Sequence, residues 1–243
     1  GALHQRVAED GKDEVAALGA SFNQAASRIE TLLNTHRSLL ANASHELRSP
    51  LARLKMAVSM MDDAPAPQRA ALAREIHVNI GELDALVEEL LLASRLEAQA
   101  VEPLHEAVDL LALAAEEASR VAARVDGEAL MVSGDERLLR RALRNLLDNA
   151  RRYGEGEIDV QLQRGAAGGV ELSVCDRGPG VPPGYRERIF DAFFRMPGHA
   201  EREGGVGLGL SLVRQIAQRH GGTVRCEPRD GGGSCFVLAL PAA

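Results

Sequence analysis

Apolar and small side chains recur every three or four residues between positions 14 and 61. The stripe comprises Phe22, Ala26, Ile29, Leu33, Leu40, Ala43, Leu47, Leu51, Leu54, Val58 and Met61. This spacing gives a helix one apolar face, as in coiled coils and helical bundles. The register slips between Ala43 and Leu51, where Pro50 lies, so we expect the helix to kink there.

A second helical pattern follows over residues 68–100, after a connection at 62–67 that reads DDAPAP and cannot continue a helix. Its apolar stripe comprises Leu72, Ile76, Ile80, Leu83, Val87 and Leu90. Two long amphipathic helices joined by a short connection predict an antiparallel hairpin. Because one hairpin alone cannot cover both stripes, we expect two copies of the chain to form a four-helix bundle.

The pattern changes near residue 103, where glycine becomes frequent and short alternating runs begin. Helices are predicted over residues 109–123, 136–152 and 208–220. Strands are predicted over residues 129–132, 158–163, 170–175, 223–226 and 235–240. The whole pattern indicates an α+β fold, in which a helical hairpin precedes an α/β domain.

Charge and cysteine content narrow the possible functions. Lys and Arg total 28 against 35 Asp and Glu, a net charge of −7 that argues against a nucleic-acid partner. The three cysteines form no CxxC pair, so we expect a reducing compartment and small buried apolar roles for them. The sequence contains no apolar run long enough to span a membrane and no signal peptide. We therefore expect a soluble chain, which can still be part of a membrane protein.

Residues 44–51 read SHELRSPL and carry a candidate nucleophile. His45 lies two residues from both Ala43 and Leu47, so at about 100° per residue it points away from the apolar stripe. The neighbouring Glu46 can orient the imidazole and accept its proton, which makes the other ring nitrogen nucleophilic. A surface histidine on a polar helix face explains the same residues equally well.

A second candidate group is the segment 145–153, NLLDNARRY. Asn145 and Asn149 are four residues apart and project from one helix face. Amide oxygens suit Mg²⁺ that is already shared with phosphates, and Arg152 can add positive charge. An ordinary amphipathic helix with polar asparagines is the alternative.

Three glycine-rich segments complete the candidate chemistry: DRGPG at 176–180, GGVGLGL at 204–210 and GGGS at 231–234. Asp176 follows a predicted strand, where its carboxylate can accept a hydrogen bond from the adenine amino group. The second segment precedes a helix, so its backbone can approach phosphates at the helix N-terminus. Each segment alone is equally typical of a structural turn, and none is a Walker A or dinucleotide-binding loop.

Taken in order, these segments resemble the sensor histidine kinases of two-component systems. SHELRSPL, NLLDNARRY, DRGPG, FDAFFRM, GGVGLGL and GGGS occur in the family's order, and the resemblance covers residues 12–243. It implies a dimeric helical hairpin that carries the phosphoryl acceptor, followed by a Bergerat-type ATP-binding α/β sandwich. It also implies ATP and Mg²⁺ as cofactors and the receiver domain of a response regulator as partner.

The resemblance further implies roles for single residues. His45 is the acceptor, Glu46 its general base and Asn149 the Mg²⁺ ligand, while Ser49 can hold the water for dephosphorylating a regulator or only bond the backbone before Pro50. The implied nucleotide-binding residues are Asn145, Asn149, Arg152, Tyr153, Asp176, Gly178, Gly180, Arg195, Gly205, Val206, Gly207, Leu208, Gly209 and Ser234. A mobile ATP lid is implied at 196–204, anchored by Phe190, Phe193, Phe194 and Arg195.

The first residues resemble the second half of a HAMP signal-relay module, which normally follows a membrane helix. We therefore expect a HAMP-like relay at 1–30, a dimerisation and phosphotransfer hairpin at 31–102 and a catalytic domain at 103–243. The resemblance implies that the whole protein is a homodimeric receptor in the bacterial inner membrane, with this part in the cytoplasm.

The chain departs from the family pattern at three places. Val206 stands where a hydroxyl residue is often found, Ser49 stands where threonine is frequent, and residues 123–135 are short for the usual two strands. Two rival interpretations remain. One is a topoisomerase- or chaperone-type ATPase, which leaves His45 unexplained; the other is a structural coiled-coil dimer that has lost nucleotide binding.

Overall fold

The computed structural model describes residues 5–7, 14–61, 64–97, 106–165, 168–197 and 207–242. By its internal contacts the chain divides into two compact units, Gly1–Asp84 and Ala85–Ala243. Two long helices come first, α1 (Glu14–Met61) and α2 (Ala66–Glu97), and Pro50 lies inside α1. No helix in the described part of the chain combines the length and apolarity that a membrane span requires.

Contacts between α1 and the first half of α2 show an antiparallel hairpin. Arg53 on α1 donates from Nε to Oδ1 of the buried Asn79 on α2, at 2.7 Å, and it pairs with Glu82 one turn further on. Ala57 on α1 and Leu72 on α2 pack in one small apolar cluster. Polar bonds and a small apolar cluster thus join the two helices.

Many large apolar residues of α1 and α2 stay exposed within one chain. They include Phe22, Ile29, Leu33, Leu51, Met56, Val58, Val78, Ile80 and Val87. Seven residues of the predicted stripes are among them, and the expected bundle of two hairpins would cover these: Phe22, Ile29, Leu33, Leu51, Val58, Ile80 and Val87. The dimer itself remains a prediction.

Beyond α2, the described part of the second unit contains two sheets and three α-helices. Strands β1 (Glu106–Asp109) and β3 (Met131–Gly134) form an antiparallel pair. The larger sheet contains β2 (Arg124–Gly127), β4 (Asp159–Arg164), β5 (Val170–Cys175), β6 (Thr223–Pro228) and β7 (Ser234–Leu240), in the order β2-β4-β5-β7-β6. Helices α3 (Leu110–Ser119), α4 (Glu136–Tyr153) and α5 (Gly209–Arg219) pack on its apolar face. The α+β prediction is confirmed.

The short strands differ from the sequence prediction. Strands β1 and β2 were not predicted, and β3 begins at Met131 rather than at residue 129. Asp109 ends β1 and caps α3, because its carboxylate accepts hydrogen bonds from the N–H groups of Leu111 and Ala112. Residues 123–135 are short for two strands, and β2 and β3 both fit there because each has only four residues.

The expectation that the cysteines act as small buried apolar residues holds for Cys226 but not for Cys175 and Cys235. Cys175 and Cys235 form a disulfide across 60 residues of sequence, and only Cys226 is free and buried. The cause is the sheet register, because β5 and β7 are antiparallel neighbours in which Cys175 lies directly opposite Cys235. Sequence spacing carries no information about such a pairing.

One buried histidine fixes α5 against the beginning of α4. The His220 ring accepts a hydrogen bond at Nε2 from the Asp135 N–H, at 3.0 Å, and its Nδ1 lies 2.7 Å from the Ile216 carbonyl oxygen. Nδ1–H therefore donates to that carbonyl, which makes the ring a neutral imidazole. Asp135 in turn caps α4 through its carboxylate. The C-terminal end of α5 is thereby joined to the N-terminal end of α4.

A buried carboxylate joins α3 to α4. Glu117 is 1% exposed and accepts two hydrogen bonds from Arg144, at 2.6 and 3.0 Å, and one from Arg140, at 2.8 Å. The hydrogen bonds from Arg144 lower the pKa of the Glu117 carboxyl, and Arg140 adds to this effect, while burial opposes it. The carboxylate therefore stabilises the folded state only when it is ionised.

We predict that Glu117→Gln lowers the free energy of unfolding by about 2 kcal/mol at pH 7, because the arginines lose a buried counter-charge. A carboxyl group whose pKa is lower in the folded state than in the unfolded state stabilises the fold at pH values above its unfolded pKa. This stabilisation is lost as the pH falls through the folded pKa. The difference between parent and variant should therefore shrink below about pH 4.5. Urea titrations measure the difference in stability, with near-UV circular dichroism as the signal. The chain has no Trp, and its two tyrosines, Tyr153 and Tyr185, lie in the second unit, which also contains Glu117, so their signal follows the unfolding of that unit.

Glu116→Gln is the matched control for this prediction. Glu116 is the neighbouring carboxylate and pairs with Arg140, but its side chain is 65% exposed. Its loss should therefore change the stability by less than about 0.5 kcal/mol. Equal effects of the two variants would mean that Glu117 stabilises the fold no more than a surface ion pair does.

Candidate functional site

Asp176 lies directly after β5 and is 4% exposed. Its Oδ1 accepts hydrogen bonds from the N–H groups of Gly178, at 2.8 Å, and Ser234, at 3.4 Å. Its own N–H donates to the Ser234 carbonyl oxygen at 2.9 Å. Among the described residues no donor reaches Oδ2. The carboxylate is thus held in one orientation with one oxygen open to a ligand.

Two glycine-rich turns meet around this carboxylate, and close backbone contact explains their composition. A Cβ at Gly178 would lie 2.2 Å from the Tyr153 carbonyl oxygen at the end of α4. A Cβ at Gly233, whose φ is +102°, would lie 2.1 Å from the Asp176 carbonyl oxygen. Gly180 lies against Gly233 in the same contact. No other residue type fits at these positions, so DRGPG and GGGS form one packed unit.

Ser234 joins the two turns from inside. It is 2% exposed, and its hydroxyl accepts a hydrogen bond from the Val181 N–H at 3.0 Å. With its backbone bonds to Asp176, Ser234 holds both ends of the DRGPG segment. The structure thus gives this predicted nucleotide-binding residue protein partners for its N–H, its carbonyl and its hydroxyl.

Asn145 and Asn149 lie one turn apart on α4, both half-buried. The Asn145 Nδ2 donates to the Gly209 carbonyl oxygen at 3.0 Å and so ties α4 to the first residue of α5. The Asn149 amide makes no hydrogen bond within the described part of the chain. At the end of the same helix Arg152 is exposed and Tyr153 is half-buried.

The FDAFFRM segment is anchored by its aromatic rings. Phe190 is buried edge-on against Phe236 of β7, with ring centroids 6.4 Å apart. The Arg188 guanidinium lies 4.7 Å from the centroid of the Phe194 ring. The Phe193 N–H, at a φ of +63°, donates to the Gly207 carbonyl oxygen at 2.9 Å. The segments on both sides of the predicted lid thus contact one another.

Residues 198–206 lie outside the described residues, and they include Gly205, Val206 and most of the predicted lid at 196–204. Arg195 and Met196 are described and half-buried. After the gap, Leu208 is buried and precedes α5 without a side-chain cap. The first N–H groups of α5 are therefore not used by a capping side chain, which makes this helix end suitable for an anion.

The candidate acceptor lies on α1. His45 is exposed and Glu46 is half-buried beside it. Ser49, one turn further, is exposed, and its hydroxyl accepts a hydrogen bond from Nη1 of Arg53 at 3.1 Å. The alternative considered from the sequence was a hydrogen bond from Ser49 to the backbone, whereas the structure shows a side-chain partner. A water held there would share the hydroxyl with a guanidinium.

Arg229 was not singled out by the sequence analysis, although this residue supports the backbone of Asp176. The Arg229 Nη1 donates to the carbonyl oxygens of Cys175 and Asp176, at 3.3 and 3.2 Å, while its Nη2 pairs with the Asp159 carboxylate. Arg229 thus holds the backbone of Asp176 through its carbonyl oxygen. It lies between β6 and the GGGS turn, where no pattern distinguishes it from a surface arginine.

Three protein families match successive parts of the chain. They are the HAMP domain at residues 1–31, the His Kinase A (phospho-acceptor) domain at 35–99, and the histidine kinase-, DNA gyrase B- and HSP90-like ATPase at 134–243. His45 falls in the second match, and Asn145 and Asp176 fall in the third.

Similar proteins match nearly the whole chain. Sensor protein RstB of Escherichia coli strain K12 is 35% identical over 99% of this chain and 57% of its own length. Sensor histidine kinase MtrB of Mycolicibacterium paratuberculosis is 33% identical over 99% of this chain and 46% of its own. Sensor histidine kinase CpxA of E. coli K12 is 33% identical over 96% and 53%, respectively. The chain thus spans about half the length of these relatives.

Solved structures agree with the fold. The mycobacterial sensor histidine kinase MprB is 33% identical, with a TM-score of 0.52 over 57% of this chain and 97% of that one. Full-length ShkA in complex with AMPPNP is 28% identical, with a TM-score of 0.61 over 85% of this chain and 46% of that one. The histidine kinase ThkA in complex with the response regulator TrrA, at 24% identity and a TM-score of 0.71 over 92% of this chain and 66% of that one, supports the fold alone.

The matched families follow one another in the order HAMP domain, phospho-acceptor domain and ATPase. The relatives that match nearly the full chain are sensor kinases. This chain belongs to the sensor histidine kinases.

Proposed function

We propose that this chain binds Mg-ATP, phosphorylates its own His45 and passes the phosphoryl group to an aspartate of a response regulator receiver domain. The observation that carries the proposal is the Asp176 carboxylate, which the backbone holds by Oδ1 and leaves open at Oδ2. An acceptor fixed in this way at the end of a buried strand suits the amino group of adenine. The complex of the related ShkA with AMPPNP supports ATP as the ligand.

The remaining nucleotide contacts follow from the elements around Asp176. In our proposal Gly178 and Gly180 let the backbone approach the base, while Tyr153 flanks it. The uncapped start of α5, at Gly207 to Gly209, receives phosphate oxygens through its N–H groups. Arg152 and Arg195 supply positive charge, and Ser234 acts by positioning Asp176.

The proposed Mg²⁺ site rests mainly on Asn149. Among the described residues no group of three or more His, Cys, Asp or Glu side chains could hold a metal. An ion that is held chiefly by phosphate oxygens and water needs few protein ligands, and a neutral amide oxygen is a fitting one. The Asn149 amide is half-buried and makes no hydrogen bond to other described residues. When bound, Mg²⁺ would neutralise charge on the transferring phosphate.

In the proposed acceptor step, α1 contributes His45 and Glu46. One ring nitrogen of His45 attacks the γ-phosphorus, so that a P–N bond forms, the bond to the bridging oxygen breaks and ADP leaves. Glu46 accepts the proton from the other ring nitrogen, which keeps the attacking nitrogen nucleophilic. Exposure of His45 on α1 suits a group that must meet both a nucleotide and a partner's aspartate.

The proposed assembly follows from the uncovered face of the hairpin. Exposed apolar residues recur along both helices, among them Leu51, Val58 and Ile80. Burying them against a second copy forms a four-helix bundle and stabilises the dimer. The HAMP match at residues 1–31 supports a whole protein that is anchored in the bacterial inner membrane, with this part in the cytoplasm.

We predict that His45→Gln abolishes autophosphorylation and leaves ATP binding unchanged, because glutamine has no nucleophilic ring nitrogen. The measurement is the transfer of label from γ-labelled ATP with Mg²⁺, followed by acid and base treatment. Phosphohistidine should be lost in acid and survive in base. Binding of a fluorescent ATP analogue shows that the nucleotide site is intact.

His77→Gln is the matched control, because His77 is an exposed histidine of α2 whose Nδ1 lies 2.8 Å from the Ala73 carbonyl oxygen of its own helix. It should be labelled as strongly as the parent. Undiminished labelling of His45→Gln would place the acceptor elsewhere and refute the proposed reaction.

We predict that Asp176→Asn weakens ATP binding at least about tenfold, a loss of roughly 1.4 kcal/mol. An amide placed at this position can present a donor to the donating amino group of adenine, and it also disturbs the bonds from Gly178 and Ser234. The dissociation constant is measured by titration with a fluorescent ATP analogue.

Asp230→Asn removes the same charge from the exposed turn before GGGS and should bind ATP as the parent does. If Asp176→Asn binds as tightly as Asp230→Asn, the adenine site is not at Asp176. Near-UV circular dichroism of both variants separates weak binding from loss of folding.

We predict that Ser49→Ala lowers phosphatase activity towards a phosphorylated response regulator and spares autophosphorylation. The Ser49 hydroxyl lies one turn from His45, where it can orient a water towards the aspartyl phosphate. The measurement is the decay rate of the phosphorylated regulator with ADP present.

Two variants sharpen the phosphatase test. Ser49→Thr keeps the hydroxyl and should keep the activity. Ser59→Ala removes a serine of the same helix that only bonds the Met56 carbonyl oxygen, and it should behave as the parent. A normal decay rate for Ser49→Ala would show that Ser49 only supports Arg53 and that the phosphatase role must be withdrawn.

A further inference from the structure

Two cysteines adjoin the residues that hold Asp176. Cys175 is the last residue of β5, and Cys235 is the second residue of β7. They are direct partners in the antiparallel register, and they are linked with their Cα atoms 4.1 Å apart. Both are half-buried, on the sheet face opposite to the buried Val174 and Phe236. Partial exposure leaves this pair within reach of a soluble thiol or disulfide.

The cysteines are each one residue away from the nucleotide site. Asp176 follows Cys175, and Ser234 precedes Cys235, so the hydrogen bonds between Asp176 and Ser234 lie next to the link. Arg229 contacts the same stretch, because it donates to the carbonyl oxygens of Cys175 and Asp176. A change in the distance between the two strand ends would therefore move the carboxylate and its donors relative to each other.

We propose that Cys175 and Cys235 form a reversible dithiol–disulfide modification site that sets the affinity of the chain for ATP. The disulfide holds the ends of β5 and β7 together and keeps the Asp176 carboxylate against its backbone donors. The dithiol leaves these ends joined only by hydrogen bonds and binds ATP more weakly. The inference rests on the nucleotide site proposed above.

Glutathione disulfide is a sufficient oxidant. The thiolate of either cysteine attacks one of its sulfurs, forming a protein–glutathione S–S bond and releasing one glutathione thiolate. The other cysteine, as thiolate, attacks the protein sulfur of this bond, which forms the Cys175–Cys235 link and releases the second glutathione. The two cysteines lose two electrons and two protons, and the oxidant becomes two molecules of glutathione thiol.

The third cysteine is an internal control. Cys226 lies on β6 opposite Phe236, so its side chain is on the other face of the sheet from Cys235. Burial raises the pKa of its thiol to about 11, which leaves little thiolate at neutral pH. Exchange should therefore be confined to Cys175 and Cys235.

The test uses the full chain treated either with oxidised glutathione or with dithiothreitol, after which the reagents are removed. Thiols counted in denaturant should number one in the oxidised protein and three in the reduced protein. Reduction should raise the dissociation constant for a fluorescent ATP analogue at least about fivefold, the lower end of ordinary coupling between sites. Cys175→Ser and Cys235→Ser should bind weakly under both treatments, whereas Cys226→Ser should respond as the parent does.

The outcomes are distinguishable without relying on the variants. Three free thiols after treatment with oxidised glutathione would overturn the modification site. Equal or tighter binding by the reduced parent would overturn the control of affinity. If neither form binds the analogue, the proposed nucleotide site is wrong and the control of affinity fails with it, while the thiol count still decides whether the pair forms.

Discussion

The proposed nucleotide site of this chain depends on the way in which one buried carboxylate is held. Removing an ionised carboxylate from water is costly unless hydrogen bonds replace those that it loses. At Asp176 the replacement comes from the backbone N–H groups of Gly178 and Ser234. Backbone donors fixed by strand ends cannot rotate away as side chains can. The carboxylate is therefore held in one orientation, and in the proposed nucleotide site Oδ2 would meet the adenine without reorganisation.

The sheet supplies the rigidity on which this carboxylate relies. Strands β5 and β7 are neighbours near the middle of the five-stranded sheet, and Asp176 and Ser234 lie at their adjoining ends. Residues that are 58 positions apart in sequence are thus joined by the sheet register. The Cys175–Cys235 link stands at the last paired position before the site, and Arg229 holds the same backbone through two carbonyl oxygens. One covalent bond and several hydrogen bonds thus support the carboxylate at one place.

Sequence patterns predicted the elements that are determined by residues close to one another in the chain. The helical period continues over 48 residues in α1, so its bounds could be predicted, and the motif order identified the family. Strands β1 and β2 are four residues long and mostly exposed, so no alternation marks them, and they form only because β3 and β4 provide partners. The disulfide and the role of Arg229 depend in the same way on contacts between distant segments. The buried hydroxyl of Ser234 shows the same limit, since GGGS suggests a ligand contact and the structure gives it a protein partner.

Asn145 and Asn149 of α4 are similar in sequence, but their different contacts in the structure favour different roles. Both amides lie on one helix face, so sequence alone treats them alike. The Asn145 Nδ2 is already committed to the Gly209 carbonyl oxygen, and this bond fixes the start of α5, where phosphate oxygens would meet free N–H groups. Asn149 makes no such bond among the described residues, and its amide oxygen remains open. Since Mg²⁺ that is held mainly by phosphate needs few protein ligands, the geometry favours Asn149 as the ligand and Asn145 as the residue that positions the phosphate site.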